Sequence, residues 1–279
     1  MSNFKLSKTT AKTILLATMF ASFTAFTQPS IAQEQDPAQM GYDIAKRSDE
    51  SDRGFHDHRV KMKMILRNAS GQENIRDMRF SVLEDPNPDV GDKSLIIFDT
   101  PADISGTALL SHAKILEADD QWVFLPEDEK IKRISSKNKS GSFFSSEFAY
   151  EDFTAQELNK YKYNYLRQEP CPNAAELTCD VVERFPLYER SGYARQIAWV
   201  DTTYFQSRKI DFYNRRDSLM KSLDFLDYKQ YEDKYWRPQL MKMQNHQTGK
   251  STDLVYGPYS FNNGLSENDF VKGVLETLY

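Results

Sequence analysis

HRVKMKMILRNASGQENIRDMRFSV, residues 58–82, decides the fold. Val60, Met62, Met64 and Leu66 alternate with Lys61, Lys63, Ile65 and Arg67. A polar turn at residues 68–71 follows, and then Met78, Phe80 and Val82 alternate with Asp77, Arg79 and Ser81. Side chains of a strand point to opposite faces in turn, so this pattern predicts an antiparallel hairpin with one apolar and one wet face.

The same period extends outward. Short strands are expected at residues 95–98, 107–116, 122–125 and 130–134. Further ones are expected at residues 162–168, 177–185, 193–200, 207–213, 218–229 and 236–244. Asp36-Pro37 caps a short helix over AQMGYDIAKR. Thr154-Ala-Gln-Glu157 reads as a capping box opening a helix through Tyr161. Ser266-Glu-Asn-Asp269 opens a C-terminal helix with Phe270, Val271, Val274, Leu275 and Leu278 on one face. About ten strands cannot stay flat; they twist and curl. The expected class is therefore mainly β: a curved antiparallel sheet forming an unclosed barrel, with a few helices covering an apolar space or capping one mouth.

The N-terminus points to export. MSNFKLSKTTAK carries three lysines and no acid, ILLATMFASFTAF is uncharged, and SIA precedes Gln33. That order predicts a signal peptide over residues 1–32, cleaved after Ala32, with one domain from 33 to 279. The apolar run is shorter than the roughly 20 residues that span a bilayer. Loss of three lysines moves the formal charge from −5 to −8, which argues against a nucleic-acid partner. In an exported chain Cys171 and Cys179 read as a structural disulfide; their spacing is not the C-x-x-C of a redox pair.

Several stretches taken together resemble a known family: FDTPADISGTALLSH (98–112), DDQWVFLPEDEKIKRIS (119–135), GSFFSSEFAYEDF (141–153), WVDTTYFQSRKIDFY (199–213), LMKSLDFLDY (219–228) and YWRPQLMKMQNHQTGKSTDLVY (235–256). In this order they look like the LolA-like family, periplasmic proteins described as sorting outer-membrane lipoproteins. The resemblance runs from about Ala45 to Tyr256. It implies an unclosed barrel around helices with a cavity for acyl chains, lipid or an acylated lipoprotein as partner, and for some members work beside exporters of the resistance-nodulation-division type. It supplies no catalytic residues and no cofactor.

On that frame the expectation is a periplasmic carrier or binding protein, not an enzyme. The alternatives are an exporter accessory without its own ligand, or a lipid hydrolase. The expected cavity residues are Met62, Met64, Phe80, Val82, Phe143, Phe144 and Phe148. Methionine adapts to irregular apolar ligands, and equally fills cores. KNKSGS, within residues 135–142, would be a mobile rim loop. Residues 143–153, with five aromatics, would be either an apolar flap closing the cavity or plain core, and Lys132, Arg133, Lys137 and Lys139 either a lipid-facing set or a solvated edge. His56-Asp57-His58 has a spacing that metals use, but reads better as a solvated strand start. No hydrolase, zincin, Walker or Rossmann motif occurs.

Overall fold

The structure, a computed structural model, describes residues 1–2, 35–135 and 137–278. The expected signal peptide and its cleavage point lie outside the described residues. Residues 35–279 form one compact unit.

That unit begins with helix α1 (Pro37–Asp52), whose N-cap Asp36 accepts the Ala38 N–H at 3.0 Å. The strands follow: β1 (Asp57–Arg67), β2 (Glu73–Leu83), β3 (Lys93–Thr100), β4 (Ala108–His112), β5 (Asp120–Leu125), β6 (Lys130–Arg133), β7 (Tyr161–Cys171) and β8 (Ala174–Pro186). Then come β9 (Arg195–Asp201), β10 (Ser207–Tyr213), β11 (Leu219–Leu226), β12 (Lys229–Tyr231), β13 (Tyr235–Arg237), β14 (Leu240–Asn245), β15 (Ser251–Tyr256) and β16 (Ser260–Phe261). All but β12 and β13 belong to one fourteen-stranded antiparallel sheet, ordered β6-β5-β4-β3-β2-β1-β15-β14-β11-β10-β9-β8-β7, with β16 on β1. The sheet is open: β6 and β7 are its edges and do not pair.

Register builds the inner face. Met62 sits opposite Met78 and Met64 opposite Leu254. Phe80 faces Ile96, Ile96 faces Leu109, and Leu109 faces Val123. On the other side Leu223 lies between Met243 and Ile210, and Ile210 faces Ala198. These side chains, with Ile44 of α1, form the main core. Alternation on β1 and β2 thus does what the sequence predicts. α1 packs against β7 so closely that a Cβ on Gly41 would lie 3.0 Å from the backbone nitrogens of Asn164 and Tyr165.

β3 and β4 are buried on both faces. Leu95, Ile97, Ala108 and Leu110 point outward and are covered by Phe270 and Leu275. The C-terminal segment therefore lies on the outer face and does not cap a mouth. It also forms two 3-10 turns, Glu267–Phe270 and Lys272–Thr277, rather than one α-helix, although Ser266 and Asp269 do make the expected box. Residues 154–161 are likewise not a helix: Thr154 is extended, and only Leu158–Lys160 makes a 3-10 turn before β7 begins. So short a segment, tied at both ends, cannot offset the cost of nucleating a helix. The expected strand over 236–244 is broken by Pro238, which has no N–H for the ladder. Residues 235–237 pair instead with β12 as a small separate hairpin.

The segment joining the two edge strands crosses the opening of the sheet. It is anchored from several directions. Gln121 donates to the Tyr150 carbonyl at 2.9 Å, Arg76 to the Phe144 carbonyl at 2.5 Å and Lys221 to the Glu147 carbonyl at 2.8 Å. Glu151 accepts from Tyr188, Ser191 and the Gly192 N–H at 2.8–2.9 Å. Phe143, Phe148 and Phe153 are buried in the main core. Phe143 stacks on Phe98 at 5.7 Å and meets Phe153 at 4.4 Å. The aromatic stretch is thus a plug built into the core, not a flap over the rim. Nor is Lys139 a solvated rim residue: it is buried and donates to the Asp119 carbonyl.

Candidate functional site

The plug does not fill the concave side. Between α1, residues 148–158 and the inner face of the sheet lies a cavity of about 500 Å³. Its depth is apolar, walled by Ile44, Val182, Ala198, Val200, Ile210, Leu223 and Leu254. Phe80, Phe225 and Met241, only partly buried, also line it.

Three of the expected cavity residues, Phe80, Val82 and Phe148, are on this wall. Met62 and Met64 are packed within the sheet's core and do not line it, and Phe143 and Phe144 belong to the plug. Cys171 and Cys179 are bonded, with Cα atoms 4.9 Å apart. They sit in a small cluster with Val181 and Trp199, away from the cavity lining.

One end of the cavity is polar. Arg237, at the end of β13, is buried and pairs with Asp52 at the end of α1. Its guanidinium lies 5.4 Å from the Phe55 ring, 5.6 Å from Phe261 and 6.0 Å from Tyr259. His58 shares these rings, 5.3 Å from Phe55, 5.3 Å from Tyr259 and 5.8 Å from Phe261. Burial first, and then the Arg237 charge, push the His58 imidazole down to about 3. His58 is 6 % exposed, and its Nδ1 has no hydrogen-bond partner among the described residues.

Carboxyls ring the same lining. Asp92 accepts the Asp85 N–H at 3.0 Å. Burial, aided by Glu157 and Glu84, pushes its carboxyl up to about 7. Glu157 is buried, and that burial raises its carboxyl too.

Sequence reasoning missed this polar end. The strand start at His58 is not solvated: His58 faces inward, and Asp57 is buried, accepting from Asn263, Gly264 and Leu265 at 2.7–3.1 Å. A signal was present, since His58 is in phase with Val60, Met62 and Met64. Arg237 carried none, because its rings come from two stretches far apart in the chain, Phe55 and Tyr259–Phe261. Among the described residues no cluster of three His, Cys, Asp or Glu side chains is arranged to hold a metal ion.

An open antiparallel sheet curled around a helix and an apolar cavity defines a carrier-type binding fold. The chain belongs to the LolA-like family of outer-membrane lipoprotein-sorting proteins. A domain from Vibrio parahaemolyticus assigned to outer membrane lipoprotein sorting is 46% identical, with a TM-score of 0.82, over 86% of this chain and 99% of that one. A DUF1329 family protein from Desulfovibrio piger ATCC 29098 is 28% identical, with a TM-score of 0.80, over 86% and 99%. A LolA superfamily protein from Nitrosomonas europaea shares the fold at 21% identity, with a TM-score of 0.66, over 85% and 99%. A family model described only as an uncharacterized protein matches residues 91–277. No curated protein matches the chain.

Proposed function

We propose that this protein is a periplasmic carrier that holds the acyl chains of a lipid or of a lipidated protein. The observation that carries the reading is the apolar cavity of about 500 Å³. Its volume is in the range of small-molecule sites, roughly 300–1,000 Å³. Its walls bring alkyl and aromatic groups together where a buried acyl chain gains about 0.8 kcal/mol per methylene. Membership in a lipoprotein-sorting family supports both the cargo class and the compartment. The comparisons give the exporter-accessory alternative no support.

Native mass spectrometry of protein gently extracted from the periplasmic fraction tests this. Co-purified lipid, displaceable by a fluorescent fatty acid, is the expected result. Protein that carries no lipid and does not take up the fluorescent fatty acid would overturn the reading.

A further inference from the structure

At one polar end of the cavity a buried imidazole and a buried guanidinium share one set of aromatic rings. A buried imidazole nitrogen without a partner is destabilising, and His58 Nδ1 is such a group. The Arg237 guanidinium uses one terminal nitrogen, Nη1, for both Asp52 and the Trp236 carbonyl. Among the described residues its Nε and other terminal nitrogen have no acceptor. Arg237 and His58 both line the cavity and share the Phe55, Tyr259 and Phe261 rings. A guanidinium presents its donors as a planar fork that fits two oxygens of a carboxylate or phosphate. The Phe55, Tyr259 and Phe261 rings within 6.0 Å make its surroundings less polar than water and raise the value of each such bond.

We infer that Arg237 and His58 form the headgroup subsite of the cavity, binding the anionic oxygens of an acyl lipid whose chain lies against Phe80, Leu223 and Leu254. Arg237 supplies the fork, and His58 the second polar contact. Asp52, itself on the cavity lining, holds the guanidinium through its Nη1 and leaves the other nitrogens to the ligand. The shared chemistry is an anionic oxygen group on an alkyl chain; a free fatty acid carboxylate and a phospholipid phosphate both provide it. This inference rests on the carrier reading above, and its test separates the two.

The test is displacement of a fluorescent fatty acid from the purified protein by two matched pairs. The first pair is palmitate against hexadecanol. The second is lysophosphatidylglycerol against a monoacylglycerol of the same chain length. The wild-type protein is expected to prefer the anionic member of at least one pair by tenfold or more, and which pair responds identifies the source of the anion. Arg237→Gln should weaken that anionic ligand at least tenfold and leave its neutral counterpart within twofold. Arg237→Lys, which keeps the charge beside Asp52 but not the fork, should fall between and serves where the Gln variant does not fold. His58→Phe removes the unpartnered nitrogen. It should keep the neutral-pH melting temperature or raise it, while losing severalfold in anionic affinity. If the wild type takes both members of each pair equally, or if the Arg237 variants lose charged and neutral ligands alike, the subsite is refuted while the cavity remains an acyl site. If the wild type binds none of them, the carrier reading fails as well.

Discussion

Lys221 donates to Asp152 at 3.0 Å inside the concavity of the sheet, with both side chains almost wholly buried. The lysine belongs to β11 and the aspartate to the plug, so this pair ties the segment between the edge strands to the middle of the sheet. Asp152 also accepts from the Tyr193 hydroxyl at 2.8 Å and from the Ala149 N–H at 2.7 Å. Lys221 lies 5.0 Å from the Tyr193 ring and 5.2 Å from that of Phe212. Removing one partner of such a pair leaves a buried charge uncompensated, which costs roughly 3–5 kcal/mol. Asp152→Asn removes the only carboxylate paired with the ammonium among the described residues and leaves it the neutral Glu147 carbonyl and the two rings, and should cost that much in urea unfolding. Lys221→Met leaves Asp152 its hydroxyl and amide donors, and should cost clearly less. Equal losses would show that the pair is not what anchors the plug.

Two groups at the cavity give opposite pH dependences that offset each other. The His58 ring stays neutral down to about 3, whereas the unfolded ring takes up a proton near 6.5. Between these values the unfolded state binds more protons, so stability falls as pH is lowered. Asp92 behaves the other way. Its carboxyl is held up to about 7 against 3.8 in the unfolded chain. Its contribution is complete below 3.8 and is lost as pH rises through 7. Relative to wild type, His58→Phe should therefore gain stability as pH falls from 6.5 to 3. Asp92→Asn should gain as pH rises from 4 to 7, by at most about 1.4 kcal/mol per pH unit. Urea midpoints at four or five pH values check both, and difference curves of one sign would contradict the assignment.

The disulfide lies outside this chemistry. Cys171 and Cys179 are eight residues apart, on β7 and β8. Closing so short a loop in the unfolded chain is worth about 2–3 kcal/mol. A double Ser variant should lose about that much stability, and its affinity for a fluorescent fatty acid should stay within twofold. A larger change in affinity would place the loop in the binding machinery.

Strands whose neighbours show in their own alternation were legible in the sequence. β1 and β2 announce themselves because every second residue must meet the same apolar face. β15 was not legible, since STDLVY places Thr252 beside Leu254 on the inner face and Asp253 on the outer. Its partners explain it only in three dimensions: Asp253 pairs with Arg67 at 2.6 Å, and the Thr252 hydroxyl accepts the Glu147 N–H at 3.0 Å. The plug was visible as an aromatic run, but not its place. That follows from β6 and β7 being opposite edges, a property of the whole sheet. The polar end of the cavity was the least legible, because Asp52, His58 and Arg237 meet only after α1, β1 and β13 have been brought together.

The aromatic residues give the sharpest test of which side chains serve the core and which the cavity. Phe143 is fully buried, is packed by Phe98, Phe144, Tyr150 and Phe153, and is absent from the cavity wall. Phe143→Ala should cost about 3–5 kcal/mol, the usual penalty for emptying a packed aromatic site. At temperatures where it is folded, acyl affinity should be nearly unchanged. Phe80 is partly buried and stands on the wall. It has fewer packed neighbours to lose, so Phe80→Ala should cost less than Phe143→Ala but shift affinity severalfold. Phe148 is buried and also lines the cavity, so its Ala variant should show both effects. Melting curves and fluorescent fatty-acid titrations on the three variants give the comparison. The division between plug and wall fails if Phe143→Ala alters binding as much as Phe80→Ala, because the plug would then be part of the ligand site.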